Sequence, residues 1–125
     1  MPETEIHHPD KRVSTGAYSA GVLIDGWLYI AGQGPLEYAT REPIHGTIEE
    51  QTRLTLWHVG MVLAGAGLTF DDVVKYTCHL AKHRNFDCFN TVYCEFFSDI
   101  LPTRTMVQSV LGGGMTIDAI ARNAT

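Results

Sequence analysis

The residue best suited to chemistry in this sequence is an arginine that closely follows a proline. Arg104 stands in Pro102-Thr103-Arg104-Thr105, at the start of a predicted interior strand. A guanidinium among apolar neighbours needs a polar partner, because an unpaired buried charge is strongly unfavourable. Its planar fork of donors matches a carboxylate through two parallel hydrogen bonds. The pattern predicts either a site for a small carboxylic acid or an ion pair with one of the fourteen acidic residues of the chain.

Histidines and cysteines are the other residues with chemical potential. His79 and His83 are four residues apart, a spacing that can hold zinc on a helix, but their segment is typical of a strand end and a turn. No metal site is therefore predicted. Cys78, Cys88 and Cys94 match no C-x-x-C pattern. We expect three reduced, inert and mostly buried thiols, with a reactive thiol as the alternative.

Composition limits the classes of function. The 125 residues are 45% hydrophobic and 18% charged, which is enough to build one packed core. A net charge of −5 with nine scattered basic residues disfavours nucleic-acid binding. No window approaches the roughly 18 apolar residues of a membrane span. The polar start of the chain does not look like a signal peptide, so a cytoplasmic protein is expected.

Five segments have the β-branched and aromatic composition of strands. They cover residues 19–24, 27–31, 73–80, 103–111 and 115–121. Asp25-Gly26, between the first two, is favoured in tight hairpins because both turn positions need a positive φ. Gly112-Gly113-Gly114 is predicted to form a tight hairpin turn rather than a phosphate loop, because no helix pattern follows it.

Two helices are predicted between these strands. Thr47-Ile48-Glu49-Glu50 forms a capping box, and Gly65 and Gly67 mark the end of the helix that it opens. The second helix is predicted over residues 85–98, with Asn85 as its N-cap. Its buried face is an aromatic stripe of Phe86, Phe89, Tyr93 and either Phe96 or Phe97.

The element order β-β-α-β-α-β-β predicts an α/β fold of the α+β type, with a single mixed sheet and both helices on one face. One domain over residues 1–125 is expected, with residues 1–13 as a mobile N-terminal arm. Because the strands carry Ile, Leu, Val and Met throughout, the face without helices should be apolar. Such a face needs a partner, so the chain is predicted to form a homo-oligomer.

Eight short motifs follow one another along the chain in a fixed order. They are Gly16-Ala17-Tyr18-Ser19, Ile30-Ala31-Gly32-Gln33-Gly34-Pro35-Leu36, Glu50-Gln51-Thr52, Ala66-Gly67-Leu68, Asp72-Val73-Val74-Lys75, Phe89-Asn90-Thr91-Val92-Tyr93, Pro102-Thr103-Arg104-Thr105 and Ile117-Asp118-Ala119-Ile120-Ala121. The succession resembles the reactive intermediate deaminase (Rid) family, which is best known through the RidA-type enamine/imine deaminases. The resemblance extends from about residue 14 to residue 122.

This resemblance implies a chorismate-mutase-like homotrimer, in which the sheets form a central barrel and three sites lie in the clefts between subunits. RidA-type members hydrolyse reactive 2-imino and 2-enamino acids to 2-oxo acids and ammonia without a cofactor. The implied partner is a small-molecule carboxylate, with neither nucleic acid nor membrane involved. A related activity in the family is that of 2-aminomuconate deaminase.

The resemblance also implies roles for individual residues. Arg104 matches the arginine that holds the substrate carboxylate, and Tyr18 matches a tyrosine near the site entrance. Asn90 falls on the family asparagine of the second helix, with a surface or capping amide as the alternative. The Gly32-Gln33 segment matches the stretch whose backbone lines the substrate pocket.

Two positions differ from the pattern of RidA-type members. Ala31 stands where the family has a serine, which removes a hydroxyl from the pocket. Thr116 stands where the family has a glutamate, and a threonine can hydrogen-bond a water but cannot act as a carboxylate base. A non-catalytic module that senses small carboxylates is therefore an alternative function. Endoribonuclease activity is a further alternative, disfavoured by the acidic charge.

Overall fold

A computed structural model describes residues 3–10, 16–40, 42–98 and 100–123. These residues contain eight strands and two α-helices, joined by loops and short 3₁₀ turns. In chain order they are β1 (Thr4–Ile6), β2 (Gly21–Ile24), β3 (Trp27–Gln33), β4 (Leu36–Glu37), β5 (Glu42–Pro43), α1 (Ile48–Gly65), β6 (Val73–Leu80), α2 (Phe86–Tyr93), β7 (Thr103–Gln108) and β8 (Met115–Arg122).

Six strands form one mixed sheet in the order β1-β2-β3-β8-β6-β7. Every neighbouring pair is antiparallel except β6 and β7, which are parallel and are connected through α2. β4 and β5 form a separate two-stranded ribbon. The turn between β2 and β3 has φ values of 52° at Asp25 and 81° at Gly26, which is the positive-φ hairpin turn that the sequence predicts.

The predicted hairpin at Gly112-Gly113-Gly114 is wrong. β7 and β8 are not neighbours, because both pair with β6, on opposite sides. The glycine segment therefore belongs to a connection across the end of β6. Two backbone hydrogen bonds attach this connection to that end, from Ser109 N to Leu80 O and from Ala81 N to Gly114 O, both 3.0 Å long.

Helix α1 begins at the predicted capping box. The Thr47 hydroxyl accepts from the Glu50 backbone amide at 3.1 Å, and the Glu50 carboxylate accepts from the Thr47 amide at 3.0 Å. Hydrogen bonding from Thr47, first from its backbone amide and then from its side chain, lowers the pKa of Glu50. The helix ends where Gly67 takes a φ of 75°.

Helix α2 is shorter than the sequence predicts. It ends at Tyr93, and a 3₁₀ turn over Cys94–Phe96 continues the chain. Asn85 precedes the helix as expected, but its side chain makes no capping hydrogen bond. The predicted aromatic stripe faces the core: Phe89 and Tyr93 are buried, and Phe86, Phe96 and Phe97 pack against the core at its margin.

Both helices cover the same face of the sheet, which confirms the predicted α+β architecture. α1 packs on β3 and β8, and α2 packs beside α1. The core between the layers holds alternate strand residues, including Leu28, Ile30, Tyr76, Cys78 and Ile117. Most of the aliphatic strand residues lie on this covered side.

The opposite, uncovered face of the sheet is not apolar throughout, contrary to the sequence prediction. The strand registers place Val22, Tyr29 and Ile120 side by side on it at one end. The other end is polar, with Thr77 paired with Asp118. The expectation fails because alternation along each strand sends most Leu, Val and Met side chains to the helix side.

The N-terminal segment lies partly inside the fold, which corrects the prediction of an arm over residues 1–13. Within the described residues 3–10, β1 pairs with β2, and both Ile6 and His8 are buried. His8 Nε2 lies 3.0 Å from His58 Nδ1, while His58 Nε2 lies 2.8 Å from the Leu36 carbonyl. Residues 11–13 of the predicted arm lie outside the described residues.

The cysteines are not mostly buried as predicted. Cys78 on β6 is fully buried, but Cys88 and Cys94 are exposed. Burial raises the pKa of Cys78 to about 12. The nearby Glu49 carboxylate is the main reason that the pKa of Cys88 is also raised.

We predict that a thiol reagent at pH 8 modifies two cysteines in the folded protein and three after denaturation. Cys88 should react slowly for an exposed thiol, because its raised pKa leaves less thiolate at this pH. Mass spectrometry of peptides at timed intervals measures both rates. Rapid modification of Cys78 under native conditions would contradict the packing of β6.

Candidate active site

Arg104 lies on β7, which is an edge strand and not the interior strand that the sequence predicts. The parallel register pairs Arg104 with Tyr76 of β6. Because Tyr76 is fully buried on the helix side, the Arg104 side chain also points toward the helices. There it is half-buried between the edge of the sheet and α2.

Three residues of α2 surround the guanidinium, at helical spacings of four and three. Asn90 accepts a hydrogen bond of 2.7 Å from Arg104 Nη1. The Arg104 Cζ atom lies 4.7 Å from the centre of the Tyr93 ring and 5.5 Å from that of Phe86. We call these four residues the Arg104 cluster. Stacking on two rings limits the orientations that the guanidinium can take.

No carboxylate of residues 3–10, 16–40, 42–98 or 100–123 forms an ion pair with Arg104. Asn90 is a neutral acceptor and occupies one of the five N–H donors. The positive charge is therefore not neutralised by the part of the chain that the structure describes. An internal ion pair, the alternative left open by the sequence, is not found there.

The guanidinium also affects two buried acids on neighbouring elements. Burial raises the pKa of Tyr93 far above its ordinary value, and the Arg104 charge opposes this rise. The same charge opposes the effect of burial on Cys78. Tyr93 and Cys78 therefore stay neutral near pH 7, and they supply no counter-charge to the guanidinium.

A second group of predicted site residues lies where β3 bulges against β8. The register shifts between Ile30 and Gln33, and this shift brings Gly32 beside Thr116. A β-carbon at residue 32 would lie 2.6 Å from the Thr116 methyl carbon, so only glycine fits without a shift. The bulge thus explains a glycine inside a strand.

Gly32 and Thr116 line an open cavity of about 330 Å³. Its walls are Gly32, Gly34, Pro35, Leu36, Pro43, Gly112, Gly113, Met115 and Thr116. We call this lining the Gly32 cluster. It contains no titratable side chain, and Thr116 is its sole hydroxyl.

Ala31 and Gln33, also predicted to contact substrate, do not line this cavity. The Gln33 side chain is buried, donates to the Ala31 carbonyl at 3.1 Å and accepts from the Tyr38 hydroxyl at 3.2 Å. Its side chain therefore holds the bulged segment in place. Tyr18 lies on the loop before β2 and is 46% exposed.

The structure brings the predicted residues together in two separate groups. Arg104 meets Asn90, and Gly32 meets Thr116, but β6 and β8 lie between the strands that carry Arg104 and Gly32. The strand pairings place Arg104 on β7 directly in line with Ile30 on β3, three strand spacings away across the sheet. These spacings amount to roughly 14 Å. A small ligand cannot contact both groups within one chain.

His79 and His83, four residues apart in the sequence, lie on two different elements. His79 lies on β6 and His83 in the following 3₁₀ turn. His79 Nδ1 lies 3.0 Å from the Ser109 hydroxyl, and its Nε2 lies 3.8 Å from Asp118. Among the described residues, no three His, Cys, Asp or Glu side chains come together as metal ligands.

Sequence reasoning missed that Phe86 and Tyr93 contact Arg104, because an aromatic stripe is more typical of a core. Their spacing from Asn90 could have indicated this contact. Phe86, Asn90 and Tyr93 are residues i, i+4 and i+7 of one helix, and residues at these positions share one face. Within the described residues, no helix is both long and apolar enough to cross a membrane.

Comparison with known proteins gives consistent results. The family described as endoribonuclease L-PSP matches residues 9–121. The 2-iminobutanoate/2-iminopropanoate deaminase of Bos taurus is 36% identical over 109 residues, which are 85% of this chain and 80% of the relative. A RutC family protein of Pyrococcus horikoshii is 37% identical over 93 residues, 74% of each chain.

Solved structures agree over almost the entire chain. A protein of the conserved Rid family from Yersinia pestis, YyfA, superimposes with a TM-score of 0.91 at 30% identity, covering 98% of this chain and 100% of its own. A structure described as a putative endoribonuclease of Thermotoga maritima gives 0.90 at 29% identity and 98% of both chains. The chain therefore belongs to the endoribonuclease L-PSP family, to which the Rid proteins belong.

Proposed function

We propose that this protein hydrolyses 2-imino and 2-enamino acids to 2-oxo acids and ammonia, with the substrate carboxylate bound by Arg104. The observation that carries this proposal is a guanidinium fixed by Asn90, Tyr93 and Phe86 that has no carboxylate partner among the described residues. The paired N–H donors of a guanidinium held in this way are complementary to the carboxylate of a small organic acid.

The reaction needs little beyond binding and orientation. Water adds to the C=N carbon, the C–N bond then breaks, and the nitrogen leaves as ammonia while the water oxygen becomes the 2-oxo group. Holding the carboxylate fixes the imine carbon relative to the attacking water, and orientation of this kind can contribute several kcal/mol. The Thr116 hydroxyl is the group of the Gly32 cluster that can hydrogen-bond this water.

We further propose that a complete site forms between two subunits of a homotrimer. The Arg104 cluster and the Gly32 cluster are too far apart to share a ligand within one chain. A neighbouring chain that brings its Gly32 cluster to the Arg104 cluster would supply both halves. The uncovered face of the sheet, with Tyr29 48% exposed, gives such an assembly a surface to bury.

The relatives support this proposal through what they bind or act on. The bovine relative is named as a deaminase of 2-iminobutanoate and 2-iminopropanoate. The TdcF protein of E. coli, which superimposes with a TM-score of 0.89 at 28% identity, was solved with bound serine. Serine carries a free carboxylate like that of the proposed substrate. We do not propose endoribonuclease activity, because a net charge of −5 opposes binding of phosphates.

The test is to generate 2-iminopropanoate in situ and to follow its decay with and without the protein. The proposal expects a faster decay that is proportional to protein concentration. Calorimetry with 2-oxobutanoate separates the enzyme from a sensor, because a sensor binds the acid without accelerating decay. Binding without turnover would establish the sensor function instead, and the absence of both would exclude a carboxylate site.

A further inference from the structure

A small cavity lies beside the Arg104 cluster and has no part in the reaction described above. It has a volume of about 150 Å³ and is mainly apolar. Its walls are Leu80, His83, Phe86, Met106, Val107 and Gln108. Phe86 belongs to both the cavity and the Arg104 cluster, so the two adjoin.

The strand geometry places the cavity directly along β7 from the guanidinium. Met106 is two residues after Arg104, so both side chains project from the same face of the strand. Met106 pairs with the buried Cys78, and Gln108 pairs with the buried Leu80, which confirms that this row faces the helices. A ligand bound by Arg104 can therefore extend along this face of β7, into the space between Met106 and Phe86.

The size and chemistry of the cavity limit what can fill it. An enclosed apolar cavity of about 150 Å³, made by mutation in another protein, binds benzene, so a partly open cavity of this volume has room for a group of that size. A methyl group would leave most of such a space empty, whereas an isobutyl or benzyl group would fill it. Leu80, Phe86 and Met106 offer apolar contacts, and the polar His83 and Gln108 are the other lining groups.

We propose that the site selects 2-imino acids with a large apolar side chain, such as those derived from leucine or phenylalanine. The inference rests on the proposed function, because it assumes that Arg104 binds the carboxylate. The side chain at the imine carbon then occupies the cavity between Met106 and Phe86. Each fully buried methylene strengthens binding by about fourfold.

The experiment compares two imines in the same protein preparation. The imine of leucine, 2-imino-4-methylpentanoate, should be hydrolysed with a kcat/KM about tenfold above that of 2-iminopropanoate. Its three additional carbons enter a cavity that is open on one side, so the gain is smaller than full burial of all three would give. Calorimetry with the products should show 4-methyl-2-oxopentanoate binding about tenfold more tightly than pyruvate. Equal or better binding of pyruvate would overturn the proposed selectivity.

Met106→Phe tests the position of the cavity by filling it. The ratio of the two kcat/KM values should fall to near one, and a ratio is insensitive to the fraction of folded protein. Ala64→Phe adds the same ring at an exposed position of α1 and should leave the ratio unchanged. An unchanged ratio in Met106→Phe would overturn the inference. If the protein hydrolyses neither imine, the proposed function is wrong. Calorimetry with 4-methyl-2-oxopentanoate and pyruvate would still decide which acid the cavity prefers.

Discussion

Replacing Arg104 with alanine is expected to lower kcat/KM for 2-iminopropanoate by about 100-fold or more. Hydrogen bonds to a charged group contribute about 1.5–3 kcal/mol, and their loss also releases the substrate from its reactive orientation. The effect should appear in KM and in kcat together. Arg104→Lys keeps the charge but not the planar fork, so it should retain an intermediate rate.

Arg53→Ala is the matched control for this substitution. Arg53 is also a half-exposed arginine, but it pairs with Glu95 at 3.2 Å on the surface, and such pairs contribute little. Its removal should leave turnover within about twofold of the wild-type rate. Thermal melting shows whether each variant is folded. If the imine decays equally fast with wild type and with Arg104→Ala, Arg104 does not bind the substrate carboxylate.

Mixing two inactive variants is expected to restore activity if each site is shared between chains. Arg104→Ala destroys one half of every site, and Gly32→Val destroys the other by placing carbon atoms against Thr116. After the chains are unfolded together and refolded at equal amounts, a site with both halves intact forms at about one in four interfaces. About a quarter of the wild-type rate should return.

The controls are each variant refolded alone, and the two mixed without unfolding. Light scattering should give about three times the chain mass of 13.8 kDa for the wild type and for the mixture. If Gly32→Val does not fold, Thr116→Val, which removes the hydroxyl of the Gly32 cluster at nearly unchanged volume, replaces it as the second variant. A monomeric mass, or a refolded mixture as inactive as its parents, would contradict a site built from two subunits.

Much of the fold could be predicted because local patterns determine it. The capping box at Thr47, the Asp25-Gly26 turn and the β6 segment each depend on neighbouring residues, and the structure has all three. The errors concern features that depend on distant pairing. The connection through Gly112–Gly114 resembles a hairpin locally, but β6 takes the position between β7 and β8.

The same distinction applies to the site. The composition around Arg104 predicts a polar partner, but only the parallel pairing of β6 and β7 shows that the side chain faces α2. Periodicity identified Phe86 and Tyr93 as buried without showing that they lie against a charge. The bulge that brings Gly32 to Thr116 depends on the registry of two strands that are far apart in sequence.

The most direct measurement is a crystal structure of the protein with 2-oxobutanoate at saturating concentration. The account predicts that the carboxylate accepts two hydrogen bonds from Arg104 at about 2.7–2.9 Å. It also predicts that Gly32 and Thr116 of a neighbouring chain close the other side of the ligand. A ligand bound away from Arg104, or an Arg104 paired with a carboxylate of the protein itself, would contradict it.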